Sequence, residues 1–251
     1  MNWLYALILG IVQGITEWLP ISSSGHLAIF QTLLNTQPGL FFDVAVHLAS
    51  LFVVILVFRK EIKSIYTAFY RKKYKSEEAK LLYYILIASI PIFLIGYFLH
   101  DPIESLFSNL TAVGIALLLT GTLLFSTKFA KPKKNLNLFN TFIIGISQAI
   151  AIIPGISRSG ATVSTGLLQG IEKQKVIRFS FLLFIPAVLA AIIYEASRTT
   201  IIEVNPVLIG FFSAGIVGFF SLKLLLNLIK KDHFWKFSIY CWILGLILLL
   251  V

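Results

Sequence analysis

The sequence predicts an all-α polytopic membrane protein, with six transmembrane helices and two re-entrant helical hairpins in an inverted-topology repeat. Three observations lead there: an apolar composition, apolar runs near the length of a bilayer crossing, and basic residues gathered into a few short loops. Of 251 residues, 58% are hydrophobic and only 13% charged, with a mean hydropathy of +0.90. A soluble domain holds about 45–50% apolar and about 25% charged residues. This apolar excess is more than a small globule can hide from water. It excludes an ordinary soluble enzyme, a disulfide-stapled secreted fold and a disordered chain. Runs of roughly 20 apolar residues, rather than alternating segments of about ten, favour helices over a barrel. The single cysteine, Cys241, lies in an apolar run and can form no disulfide within the chain.

Taken in order, the full spans fall at 40–58, 81–99, 110–127, 176–194, 207–229 and 239–251, the last expected to begin nearer Trp235. Two further apolar stretches, 3–19 and 139–153, run into Pro20-Ile-Ser-Ser-Ser-Gly-His26 and Pro154-Gly-Ile-Ser-Arg-Ser-Gly160. A proline followed by serines and glycine stops a helix and starts a loop. The stretch 3–19 has no basic n-region and no small-residue cleavage site, so it is not expected to be a removable signal peptide.

Charge sets the sidedness. Segments 59–80, 128–134, 173–178 and 230–236 carry eight, four, three and three basic residues, 18 of the 21 in the chain. The loop 100–109 has Asp101 and Glu104 and no Lys or Arg, and the loop 195–206 has two glutamates and Arg198. The positive-inside rule puts the first four segments in the cytoplasm and the two acidic loops outside. The formal charge of +10 therefore reads as membrane orientation and not as nucleic-acid binding. Threading the spans then makes 139–175 begin and end inside, and 1–39 begin and end outside, with both termini outside. Each of these stretches enters the bilayer, turns and returns.

A shift of 135 residues lays Gly10 on Gly145, Gln13 on Gln148, Ser22 on Ser157, Ser24 on Ser159 and Gly25 on Gly160. The matching stretches start on opposite sides of the membrane, the mark of an inverted repeat. The chain is read as a single membrane domain, 1–251, built of repeats at about 1–127 and 139–251 joined by a cytoplasmic loop 128–138. Its two interrupted hairpins are expected to meet near the midplane.

Irregular backbone at membrane depth persists only where protein or a wet cavity satisfies it, and buried ionisable groups there mark function. Glu17, His26 and Arg158 lie near the two hairpin tips. Gln13 and Glu17, at i and i+4, share a helix face. Arg158 offers a planar cationic fork for phosphate oxygens. The serines and glycines Ser22, Ser23, Ser24, Gly25, Ser157, Ser159 and Gly160, with Thr162, can present hydroxyls and backbone N–H groups at helix starts. His26 can move a proton near neutral pH. Together they suggest phosphoryl binding and transfer. His47 is read as a packing residue in its span, Asp43 as facing a wet outer surface, and Lys223 as snorkelling to the inner face.

The stretch Gln13-Gly-Ile-Thr-Glu17-Trp-Leu-Pro-Ile-Ser-Ser-Ser-Gly-His26 resembles the first signature of the undecaprenyl-diphosphate phosphatase, or bacitracin-resistance, family. Pro154-Gly-Ile-Ser-Arg158-Ser-Gly-Ala-Thr162 resembles the second, and Arg178 to Pro186 resembles the span that follows. The resemblance implies a multi-pass enzyme of the bacterial inner membrane with its site open to the outer face. It would hydrolyse undecaprenyl diphosphate to the monophosphate carrier of peptidoglycan synthesis. It implies a divalent cation, Mg2+ or Ca2+, bound with the substrate. It also implies a polyprenyl diphosphate lipid as partner and no nucleic acid, with monomer and dimer both open. Glu17, Ser23, His26 and Arg158 match positions tied to catalysis, and Ser157 and Thr162 positions tied to binding. Gln13 stands where the family has Glu or Gln, in a metal or supporting role. Three routes stay open: Ser23 attacks with His26 or Glu17 taking its proton, His26 attacks directly, or water attacks with Glu17 as base. The first, with His26 as proton shuttle, is favoured. A lipid-phosphate transporter or flippase built on the same anion site is the alternative.

Overall fold

The computed structural model describes residues 2–99, 102–103, 105–196 and 204–250. The loop residues His100, Asp101, Glu104, Arg198 and Glu203, and the terminal Val251, lie outside them. All regular structure among the described residues is helical, apart from one isolated bridge between Lys134 and Ile171. Eleven α-helices are described: α1 Trp3–Thr16, α2 Ser23–Leu33, α3 Leu40–Val57, α4 Arg59–Tyr70, α5 Glu77–Phe98, α6 Leu110–Ser126, α7 Leu138–Ile150, α8 Arg158–Leu168, α9 Lys173–Ala196, α10 Val204–Lys230 and α11 Phe237–Leu250.

Their starts are written in the sequence as caps. Asn2, Ser76, Asn109 and Asn137 each accept a backbone N–H of the first turn, of Leu4, Ala79, Ala112 and Asn140 respectively. Such caps satisfy donors that a helix end otherwise leaves open. Four described helices, α5, α6, α9 and α10, are long and apolar enough to cross a membrane. A fifth crossing results if α3 and α4, bent by 72°, count as one broken span. Helices α1, α7 and α11 are shorter apolar segments, the last entered through a 3-10 turn at Phe234–Lys236, where the sequence places the start of that span. The two stretches read as 3–19 and 139–153 are helical over Trp3–Thr16 and Leu138–Ile150, each ending three residues before the expected bound.

The basic segment after α3 differs from the loop expected. Arg59–Tyr70 is a helix, α4, because Ile62 and Ile65 pack on the main core while Arg59, Lys60 and Lys63 point outward. Lipid-length belts of apolar side chains remain exposed on the long helices, among them Phe52, Leu56, Phe93, Leu94, Phe212, Ile216, Phe220 and Ile243. In water such a surface would be a liability; in lipid it is the solvent-facing side. The protein is a polytopic helical membrane bundle.

Small residues let helices touch backbone to backbone, as membrane packing requires. Helix α1 lies along α10 through Gly10 and Gly14, whose added Cβ atoms would meet Gly210 O at 2.6 Å and Ala214 O at 2.8 Å. Helix α7 lies along α5 in the same way, a Cβ on Gly145 falling 2.4 Å from Ala88 O. Helices α6 and α11 pair along their length, and α3 packs against both α9 and α10. Gly145→Ala should therefore push α7 off α5 and cost about 1–3 kcal/mol. Gly215→Ala, whose new Cβ has only the Ala49 methyl at 3.9 Å, should leave stability unchanged. Thermal unfolding followed by tryptophan fluorescence in detergent micelles compares the two.

Candidate functional site

Between α1 and α2 the chain turns over Glu17–Ser22, and between α7 and α8 over Ala151–Ser157. The two turns interlock. Ser22 adopts φ +69 and caps α2, its Oγ accepting from Gly25 N at 3.3 Å. Ser157 caps α8, its Oγ accepting from Gly160 N at 3.1 Å. Each capping hydroxyl also pairs with the serine two residues on, Ser22 with Ser24 at 3.1 Å and Ser157 with Ser159 at 3.3 Å. Ser22 Oγ then reaches across to accept Gly155 N at 3.1 Å, and Ser159 Oγ donates to Trp18 O at 3.1 Å. Gly155 is required on two counts: its φ is +94, and a Cβ there would lie 2.5 Å from Val113 O. Thr120 fastens this tip to α6, donating to Gly155 O at 3.0 Å and accepting Ser157 N at 3.2 Å.

At the meeting point sits Glu17, only 5% exposed. Its Oε2 accepts from Gln13 Nε2 at 3.0 Å and from Ser23 Oγ at 2.5 Å. Its Oε1 accepts from Arg158 Nη2. The i, i+4 partnership of Gln13 and Glu17 is as the sequence spacing indicates. The Arg158 guanidinium lies over the Phe184 ring, 3.8 Å from its centroid, and its other terminal nitrogen, Nη1, is buried with no partner among the described residues. Thr162 braces the helix below, donating to Arg158 O at 2.9 Å and pairing with Ser180 Oγ at 2.5 Å. The first N–H donors used by the two caps belong to Gly25 and Gly160. Among the described residues this leaves the N–H groups of Ser23, Ser24, Arg158 and Ser159 as the open ends of two helices, a natural seat for an anion.

A cavity of about 220 Å³ opens here, lined by Glu17, Ser22, Ser23, Ser24, Gln148, Ser157 and Arg158 together with His47. A second cavity of about 350 Å³ shares Ser24, His47 and Ile152 with it and continues past Asp43, Ile103 and Phe107. His47, read from the sequence as a packing residue, also lines both cavities: its Nδ1 donates to Asp43 O at 2.8 Å, and its Nε2 stands 3.9 Å from Glu17 Oε2. An ionisable ring in an apolar span was the available signal. Asp43 lines the second cavity, while Lys223 rests over the Phe219 ring at 4.0 Å.

Of the three ionisable groups expected at the tips, two meet and the third turns away. His26 is buried on the far side of the α2 start. A carbonyl only accepts, so Nδ1 carries the proton and donates to Ser22 O at 2.7 Å. In the neutral ring Nε2 then accepts from the Tyr240 hydroxyl at 2.6 Å, the two rings stacked at 12°. The hydrogen bond from Ser23 runs to Glu17 and not to the imidazole. His26 and Tyr240 instead line a third, largely apolar cavity of about 570 Å³ between α1, α2, α10 and α11.

The side chains do not by themselves form a cage for the divalent cation that the sequence resemblance implies. No group of three or more His, Cys, Asp or Glu among the described residues could hold a metal, and both Glu17 oxygens are already engaged.

With the geometry established, comparison with known proteins places it. A family model described as bacitracin resistance protein BacA matches residues 6–247. The chain is 42% identical to a protein of Korarchaeum cryptofilum named undecaprenyl-diphosphatase, over 97% of each. It is 40% identical to one of that name from Bacteroides fragilis, over 100% of this chain and 98% of the relative. It is 39% identical to another from Methanobrevibacter smithii, over 98% and 96%.

Tyr240→Phe removes one hydrogen bond and nothing else, so it should cost about 0.5–1.5 kcal/mol. In a His26→Ala background the same change should cost nothing further, because the bond has already lost its acceptor. Thermal unfolding of the four proteins of this cycle checks both statements.

Proposed function

The chain belongs to the bacitracin resistance protein BacA family, and on that footing we propose that it hydrolyses undecaprenyl diphosphate to undecaprenyl phosphate and inorganic phosphate. The observation that carries this reading is the single carboxylate of Glu17, which holds the Ser23 hydroxyl at 2.5 Å on one oxygen and the Arg158 guanidinium on the other. A hydroxyl bonded to a carboxylate is a nucleophile beside its base. A buried guanidinium with one free nitrogen, flanked by two helix starts, is an anion seat.

In this proposal the terminal phosphate sits in the cavity against Arg158 Nη1 and the open N–H groups of the two tips. Ser23 Oγ attacks its phosphorus, the Ser23 proton passes to Glu17, and the bond to the bridging oxygen breaks to release undecaprenyl phosphate. Glu17 takes the part of proton acceptor because the hydroxyl faces it, while His26 holds the Ser22 carbonyl and so the turn that presents Ser23. Gln13 orients the carboxylate. The isoprenoid tail stays in lipid. A transporter would need the anion seat but not a hydroxyl set against a carboxylate, which is why hydrolysis is preferred.

Several finer points belong to the same proposal. Six spans and two re-entrant hairpins form repeats at about 1–127 and 139–251, joined by 128–138. The packing supports this: α1 on α10 has its counterpart in α7 on α5, α3 on α10 in α9 on α5, and the two capped tips carry the same hydrogen bonds. The basic helix α4 then lies along the inner surface, the termini lie outside, and the site opens outward through the cavity past Asp43. A divalent cation, Mg2+ or Ca2+, would be held mainly by the diphosphate's own oxygens and would supply charge neutralisation there.

Purified protein in detergent, given undecaprenyl diphosphate, should release phosphate. Ser23→Ala should lower kcat by at least about 10³-fold. Arg158→Lys, which keeps the charge but loses the fork, should lose about 10²–10³-fold in kcat/KM. Full activity of Ser23→Ala would refute the serine route. Chelation with EDTA should abolish release, and added Mg2+ or Ca2+ should restore it; activity undiminished by EDTA would remove the cation from the scheme.

A further inference from the structure

Gln148 is 1% exposed, and both its amide nitrogen and its amide oxygen are buried without a hydrogen-bond partner among the described residues. A buried polar group without a partner is costly and calls for an explanation. The repeat supplies half of it. Gln148 is the counterpart of Gln13, whose amide is spent on Glu17 one turn later. One turn after Gln148 stands Ile152, which offers nothing. Gln148 also lines the 220 Å³ cavity together with Glu17, Ser23 and Arg158. That volume has room for a phosphoryl group and a water, which takes about 30 Å³.

We propose that the Gln148 carboxamide positions the water that hydrolyses the phosphorylated Ser23, an inference that rests on the serine route above. An amide is suited to this and to little else in the reaction. It cannot act as base or nucleophile, but it can hold a water, accepting from it with Oε1, while Nε2 donates to an oxygen of the phosphoserine formed in the first step. Phosphoryl transfer needs its nucleophile placed more than it needs it deprotonated. The water oxygen bonds to phosphorus as the bond from phosphorus to Ser23 Oγ breaks. Glu17 returns to Oγ the proton it took in the first step. One water proton stays on the inorganic phosphate and the other leaves to solvent. The symmetric positions thus divide the two half-reactions, Gln13 serving the carboxylate in the first and Gln148 the water in the second.

The test uses the whole protein in detergent and undecaprenyl diphosphate carrying 32P in its terminal phosphate, with rapid quenching. Gln148→Leu should release undecaprenyl phosphate in the first turnover within about twofold of the unaltered rate. Its kcat should then fall about 30–100-fold with KM falling in parallel, and label should accumulate on the protein toward one per chain. Gln148→Asn, which withdraws the same amide by one methylene, should show the same pattern more weakly, so the result does not depend on how leucine packs. Unchanged kcat in both variants, or a slowed first turnover without labelled protein, would overturn the role given to Gln148. Ser23→Ala separates that failure from a failure of the serine route: if it still turns over, no phosphoserine exists and the inference falls with its premise.

Discussion

The ion pair between Glu17 and Arg158 is the constraint on which the rest of this structure depends. A carboxylate and a guanidinium buried in a membrane bundle are each prohibitive alone, and tolerable when each satisfies the other and further hydrogen bonds take up the remaining capacity. The partners are 141 residues apart, so joining them requires two separate breaks between helices to meet. Much of the surrounding chemistry follows from holding those breaks. Gly155 admits a left-handed turn under α6, Ser22 and Ser157 cap the helices that follow, Thr120 ties the second tip to α6, and Ser22 and Ser159 each bond to backbone of the opposite tip. The irregular backbone of the two turns is thereby satisfied within protein.

The two tips share one capping pattern and differ, among other places, at the first helical residue. In both, a serine caps an 11-residue helix, a second serine pairs with the cap, and a glycine follows as the first bonded donor. The first helical residue is Ser23 in one and Arg158 in the other. Two helix starts with the same capping hydrogen bonds, though with different cap backbones, thus deliver a hydroxyl from one side and a cation from the other to a single carboxylate.

How much of this could be read from the sequence depended on the range of the interaction. The interruptions at Pro20 and Pro154 and the Gln13–Glu17 pair are set by residues within a turn or two of one another, and they were legible. The convergence of Glu17 with Arg158 was legible only because the repeat and the charge pattern implied opposed insertion. The orientation of His26 was not. Ring placement there is decided by the Ser22 carbonyl and by Tyr240, 214 residues away, and no local spacing encodes the second of these. His47 escaped for the same reason: Asp43 O, its local partner, makes it look satisfied, while its approach to Glu17 depends on how α3 packs against the first hairpin. Helix α4 was obscured by its charge. A run dense in Lys and Arg reads as a loop, yet Ile62 and Ile65 recur at a spacing that gives a helix one apolar edge to bury.

The division of labour within the Glu17–Arg158 pair explains how a site so tightly bonded can still accept a substrate. Were the guanidinium wholly spent on the carboxylate, a diphosphate would have to break the pair before binding, exposing a bare carboxylate to an incoming anion. Instead the pair uses one terminal nitrogen and one carboxylate oxygen. The second nitrogen is free, and the second oxygen faces Ser23 and Gln13. A phosphoryl group can therefore dock on Arg158 without disturbing what Arg158 does for Glu17, and Glu17 keeps the Ser23 hydroxyl aimed while it does so. The planar fork is what permits this, since its two terminal nitrogens point in fixed and different directions. Phe184 lies against one face of the fork, 3.8 Å from ring centroid to Cζ, and limits tilting of its plane. On the proposed serine route the donors and the nucleophile are thus in place before the substrate arrives, and little reorganisation remains for the moment of reaction.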